Sequence, residues 1–238
     1  MFRQARQNRI FQDVVEQVQE AIVSGKLTPG ALLPSERELK EQFNVSRGTL
    51  REALRVLEQK GLIQIKTGVS GGPVVKGVTT EQVSESLALL IRYQKVSLSQ
   101  LAEFREGVEG LVAALAARRA STDDITRIRE LLAKAEGHLK EGASHWDSFI
   151  RTDEEMHLAV AEISGNLIYA SMLKTIYSNI HPYYESHLAK EEPFLRENYQ
   201  DLCDMVEAIA GHDEARATSL AQEHVRRFYS HMASRSAN

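Results

Sequence analysis

The stretch PSERELKEQFNVSRGTLREALRVLEQKG, residues 34–61, decides the fold of the N-terminal part of the chain. Ser35 followed three residues later by Glu38 is the signature of a capping box, in which each side chain satisfies a backbone donor that the first helical turn leaves bare. Ser46 offers a second N-cap, and Leu50, Ala53, Leu54 and Leu57 then recur at helical spacing until Gly61 ends the run. Two helices separated by a turn of about three residues read as a helix-turn-helix. Upstream, Ile10, Val14, Val15, Val18, Ala21 and Ile22 line one face of another helix, stopped at Gly25. Downstream, the apolar runs 62–65 and 74–75 flank TGVSGG, a hairpin with a glycine-rich tip. Three helices and a two-stranded wing predict a winged helix-turn-helix over residues 1–76, followed by a short linker at 77–80.

From residue 81 to 238 no strand pattern stands out. Amphipathic segments near 80–94, 97–120, 122–141, 145–164, 166–180, 193–211 and 213–234 predict an all-α bundle of about seven helices, with Gly165, Pro182, Pro193 and Gly211 as breaks. The fold class is therefore mostly α, with β structure confined to the wing.

Hydrophobic residues at 42% and charged residues at 26% are ordinary for a globular protein. No apolar run approaches the roughly 18 residues of a membrane span, and the polar start MFRQARQNRI lacks the apolar core of a signal peptide, so no membrane association and a cytoplasmic location are expected. The single cysteine, Cys203, excludes an internal disulfide framework and a thiolate zinc cluster within one chain, which leaves His and carboxylate as the ligands for any metal. The net charge of −4 hides an asymmetry: residues 1–76 carry +4 and residues 77–238 carry −8. A basic head on an acidic body points to a polyanion as the partner of the head.

The helix beginning at Ser46 concentrates the chemistry expected at a DNA surface. A recognition helix enters the major groove N-terminus first, so donors in its first two turns meet base edges. Arg47 and Arg51 can each fork onto guanine O6 and N7, Gly48 permits close backbone approach, and Ser46 and Thr49 suit phosphate or thymine. Arg37, early in the preceding helix, is placed for a backbone phosphate. Lys66, Thr67 and Gly68 at the wing tip are placed near a minor groove.

In the body, DEEMH at 153–157 sets Asp153 and His157 four apart on one helical face. Such a pair can hold a metal, act as acid and base, or bond to each other. A metal-dependent enzyme on these residues is the alternative function, although H-E-x-x-H, G-x-S-x-G and phosphate-loop motifs are absent. A DNA-binding protein without an effector is the other.

The stretch from LTPGALLPSERELKEQF to LIQIKTGVSGGPVV resembles the DNA-binding domain of GntR-type transcriptional regulators, through G-x-x-L-P-S-E-R-x-L and V-S-R-x-x-L-R-E-A-L. The body resembles the FCD ligand-binding domain of the FadR-like subgroup, through FREGVEGLVAALAA, DEEMHLAVAEISGN and VEAIAGHDEARATSLAQEHV. The resemblance implies a homodimer on a palindromic operator, with Arg37, Arg47, Thr49, Arg51 and Gly68 at DNA-contacting positions, and a response to a small metabolite.

Many members of the subgroup hold a divalent metal with one Asp and three His. Asp153, His157 and His224 match three of these positions, and Leu202 stands where the remaining His falls. Zn²⁺, Ni²⁺ or Mn²⁺ is the expected cofactor if the reduced set still binds, with His181, His187 and Tyr199 nearby in sequence to compensate. Otherwise Asp153, His157 and His224 meet the effector, or one another, directly. Arg105, followed by Glu109, matches an R-x-x-x-E feature suited either to capturing a carboxylate effector or to a structural ion pair. A small organic acid is the expected ligand.

Overall fold

The computed structural model describes residues 9–68, 71–76, 81–93, 96–188 and 190–236. The chain divides into two compact units, residues 1–83 and 84–238. The 77–80 linker lies outside the described residues, and the divide between the units falls just inside the helix that begins at Glu81.

The first unit holds α1 (Arg9–Val23), α2 (Glu36–Phe43), α3 (Arg47–Gln59) and the antiparallel pair β1 (Ile63–Lys66) and β2 (Gly72–Val75). The capping box at Ser35 is formed: its backbone N–H donates to Glu38 Oε2 at 2.9 Å, and Ser35 Oγ accepts from the Glu38 N–H at 3.3 Å. Asn44 closes α2 in a left-handed conformation at φ 48°, which an asparagine tolerates better than most residues, and two residues later Ser46 caps α3. Val14, Val15, Val18 and Ile22 of α1 pack in one core with Leu50, Leu54 and Leu57 of α3 and with Ile63 and Val75 of the wing. The wing is broader than a bare hairpin, because residues 30–33 run beside β2: Leu33 N–H donates to Pro73 O and Val75 N–H to Ala31 O.

Among its described residues the second unit holds helices and no strand: α4 (Glu81–Arg92), α5 (Leu98–Arg119), α6 (Thr122–Lys140), α7 (Trp146–Ile163), α8 (Leu167–His187), α9 (Glu192–Ala210) and α10 (Glu214–Ser236). Its core runs through Ala113, Ala116 and Ala117 of α5, Phe149 and Met156 of α7, Ile176 and Ile180 of α8, Leu202 and Ile209 of α9, and Ala221 and Phe228 of α10. Small residues on α5 and α10 let these two helices approach closely; a Cβ on Gly110 would come within 2.8 Å of Gln222.

One expected break is absent. Pro182 lies inside α8, which runs on to His187 instead of ending near 180. Proline removes one helical hydrogen bond, yet the turn beyond it is pinned by burial of Tyr183 and Tyr184. Tyr183 also donates its hydroxyl to Val96 O at 2.8 Å. Tertiary anchoring outweighs the local cost. Pro193, by contrast, sits at the first turn of α9, where its missing N–H has no helical partner to lose.

Leu57 is fully buried in the first unit. Leu57→Ala is expected to lower the stability of that unit by about 2–5 kcal/mol, read from the shift of its urea midpoint at unchanged slope.

Candidate functional site

Two groups of residues carry chemistry, one in each unit. On α3, Leu50, Ala53, Leu54 and Leu57 face the core, which turns Arg47, Arg51 and Arg55 outward as exposed side chains. Glu36 at the start of α2 orients two of them: its Oε2 lies 3.0 Å from Arg51 Nε and 3.7 Å from Arg47 Nε. Ser46 Oγ accepts from the Thr49 N–H at 3.1 Å and shares a hydrogen bond with Thr49 Oγ1 at 2.8 Å, so both hydroxyls are already oriented within the first turn. Gly48 is open: a Cβ there would meet nothing nearer than Ser46 Oγ at 3.8 Å. Nothing inside the fold requires glycine at that place. Gly68 is different, since its φ of +120° suits glycine alone. Arg37, Lys66 and Thr67 are exposed.

The second group is buried inside the bundle. Arg105, Glu109, Asp153, His157 and His224 are each under 5% exposed. Glu109 is the hub. It accepts from Arg105 Nε at 2.6 Å, Tyr177 Oη at 2.9 Å and His157 Nδ1 at 2.9 Å. Arg105 spends its remaining bonds on Tyr177 Oη at 2.8 Å and Tyr184 Oη at 3.4 Å. The structural Arg105–Glu109 pair is thus formed, and the guanidinium is not free for bidentate capture in this conformation. The cleft beside Arg105, lined also by Leu101, Ile180 and Val225, measures about 10 Å³, room for about one water.

At the far side of His157, its Nε2 faces His224 Nε2 at 3.1 Å, and Asp153 Oδ1 lies 3.7 and 3.8 Å from the two nitrogens. His224 Nδ1 meets Asp201 Oδ2 at 3.2 Å, and Asp201 is held in turn by Arg227. Both Nδ1 atoms face carboxylates, and the two Nε2 atoms are turned toward each other. That arrangement calls for a proton or a metal ion between them. Imidazoles that lean on carboxylates through the nitrogen away from the ion are the usual surroundings of a metal site.

Electrostatics supply the proton. Burial works against a charge on His157, but Glu109 and Asp153 outweigh it and raise the imidazole to about 9. Burial likewise pushes the Glu109 carboxyl up, and Arg105 with His157 more than reverses this, holding it well below the usual carboxylate range. Asp153 follows the same pattern: burial raises it, and His157 brings it below its ordinary value. Glu154, without such a partner, is pushed up to about 7 by burial and by neighbouring Asp153.

Asp153, His157 and His224, matched from sequence, converge here; each offers one ligand atom within 4.8 Å of the others. Leu202 is fully buried and contributes only hydrocarbon. His181, His187 and Tyr199 are engaged elsewhere, with Glu185, the Tyr183 carbonyl and Cys203 respectively. Sequence reasoning missed Asn198, Asp201, Tyr177 and Tyr184. The signal for the first two was present in the spacing of Asn198, Asp201, Leu202 and Met205, which shares one face of α9.

Residues 100–227 match the FCD domain, and residues 11–71 match the family described as bacterial regulatory proteins, gntR family. The chain belongs to the gntR family. LutR, an HTH-type transcriptional regulator of Bacillus subtilis, is 34% identical over 162 residues, covering 66% of this chain and 69% of its own. The Uxu operon transcriptional regulator of Escherichia coli is 28% identical over 222 residues, covering 90% and 82%. The transcriptional repressor NanR of Escherichia coli is 28% identical over 235 residues, covering 94% and 84%. Among solved structures, Streptococcus agalactiae GntR shares the fold with a TM-score of 0.70 at 24% identity, over 92% of this chain and 99% of that one. This gntR-family chain is a DNA-binding transcriptional regulator with an FCD effector-binding domain, and the family and its relatives are regulators rather than enzymes. Among its described residues no helix is long and apolar enough to cross a membrane.

Arg105→Ala is expected to destabilise the FCD unit by about 3–5 kcal/mol, because it strands a buried carboxylate. Adding Glu109→Gln to that variant is expected to recover part of the loss, as seen by urea unfolding of both proteins.

Proposed function

We propose that this regulator binds a palindromic operator as a homodimer through Arg37, Ser46, Arg47, Gly48, Thr49, Arg51, Lys66, Thr67 and Gly68. The observation that carries the reading is the outward face of α3, where exposed Arg47 and Arg51 flank an open Gly48 beside a capped helix start. Exposed ion pairs such as those with Glu36 are worth about 0–1 kcal/mol, so DNA can replace them at little cost. Arg47 and Arg51 then read bases, and Arg37 and the wing fix position.

In the FCD domain the same proposal assigns sensing of a small organic acid to Arg105, Asp153, His157 and His224, together with a divalent ion, Zn²⁺, Ni²⁺ or Mn²⁺. The donor set fits such an ion. From the three distances among Asp153 Oδ1 and the two Nε2 atoms, a point equidistant from them lies about 2.1 Å from each, a zinc–nitrogen or zinc–oxygen bond length. A bound ion would supply a Lewis-acid position for a carboxylate. Around it, Glu109 and Asp201 orient the two imidazoles, and Arg105 keeps Glu109 ionised. Since Arg105 is already held by Glu109, Tyr177 and Tyr184, its engagement by an acid requires the cluster to open. Such an opening is what a ligand with different affinity for two conformations would bias.

Arg47→Ala is expected to weaken operator binding by about 1–3 kcal/mol and to relax preference at one base pair per half-site. Fluorescence anisotropy with a set of single-base operator variants checks this. A uniform loss across all sequences would make Arg47 a phosphate contact instead.

A further inference from the structure

We infer that Asn198 supplies, through its side-chain carbonyl, the protein ligand that Leu202 cannot. This rests on reading the cluster as a metal site and concerns how this chain completes it. Asn198 lies one helical turn before Leu202 on the same buried face of α9. It is 3% exposed, and its Nδ2 donates to Asp153 Oδ1 at 3.2 Å. That oxygen is also the one nearest both histidine Nε2 atoms. The other end of the carboxamide, Oδ1, is buried and has no hydrogen-bond partner.

A bare buried acceptor is destabilising, and a leucine at this place would avoid it. The amide becomes intelligible if it serves two states. Without an ion, the Asp153 carboxylate needs a donor, and Nδ2 faces it. With a dication on Asp153, an N–H pointing at the same place is repelled. Turning the carboxamide over by 180° then exchanges its ends, bringing Oδ1 to about the position Nδ2 holds, 3.2 Å from Asp153 Oδ1. That separation suits two oxygens bound to one ion at the usual bond lengths of about 2.0–2.2 Å. The resulting set is two imidazoles, one carboxylate and one amide carbonyl. Such a nitrogen and oxygen set suits first-row dications of the Mn²⁺, Ni²⁺ and Zn²⁺ kind.

The test uses the full-length protein, stripped with a chelator and titrated with Co²⁺ while its visible d–d bands are followed, with Zn²⁺ as competitor. Asn198→Leu is expected to weaken Co²⁺ binding about tenfold or more and to alter the bands, while the melting temperature of the metal-free protein stays level or rises. Asn198→Asp, which keeps an oxygen at the same place, is expected to bind at least as tightly as the parent. Wild-type affinity and bands in Asn198→Leu would overturn the inference and leave the metal site standing on Asp153, His157 and His224. Weakened binding in Asn198→Asp would overturn it too, including where Asn198→Leu fails to fold. Absence of any Co²⁺ or Zn²⁺ binding by the parent protein would overturn both the inference and the metal reading beneath it.

Discussion

Glu109 is a carboxylate taken out of water, and the buried cluster of the FCD domain is built around keeping it charged. Stripping a carboxylate of its hydration costs several kcal/mol even after the protein relaxes, so it must be surrounded by donors. Three helices provide them: Arg105 from its own helix α5, His157 from α7 and Tyr177 from α8. Each donor is itself constrained. Arg105 is packed against the Tyr177 ring, with its guanidinium carbon 4.9 Å from the ring centre, and His157 stacks on the same ring at 5.3 Å. One ionised oxygen pair thereby fixes the spacing of α5, α7 and α8 and sets which nitrogen of His157 faces Asp153 and His224.

The DNA-binding unit uses charge in the opposite manner. Glu36, Arg47 and Arg51 form an ion cluster with side chains 36–71% exposed, where water screens the attraction and the pairs contribute little to stability. Hydrocarbon holds this unit together: Leu50 and Leu57 are fully buried, and the wing joins the same core through Ile63 and Val75. Weak pairs on a rigid helix suit a surface that must exchange partners. Strong, desolvated pairs suit one that must hold a shape.

Much of this was legible in the residues. Ser35 with Glu38, and Ser46 before an apolar stripe, located α2 and α3 because capping is local chemistry read over three positions. Asp153 and His157 were placed together by helical spacing, and His224 by resemblance. What stayed hidden depended on tertiary contact. Pro182 looks like a break until Tyr183 and Tyr184 are seen buried beyond it. The two readings of Arg105, effector clamp or partner of Glu109, could not be separated without knowing that Tyr177 and Tyr184 close around it. Asn198 shares a helical face with Leu202, which spacing alone can show, but the role of its amide depends on the three-dimensional position of Asp153.

The charge balance of the cluster bears on which ligand the proposed site would favour. With a proton between the imidazoles, Arg105 and His157 are positive, Glu109 and Asp153 negative, and the Asp201 charge is met by Arg227. The set is neutral and buried. Exchange of that proton for a dication would leave one positive charge uncompensated in a low-dielectric interior, where its attraction for an anion is far stronger than in water. A carboxylate entering beside the ion would restore neutrality, whereas a neutral sugar or an amine would not. Under the proposed metal reading a preference for a small acid would follow from charge alone, without any dedicated carboxylate clamp, with Arg105 holding Glu109, and through it His157, in place.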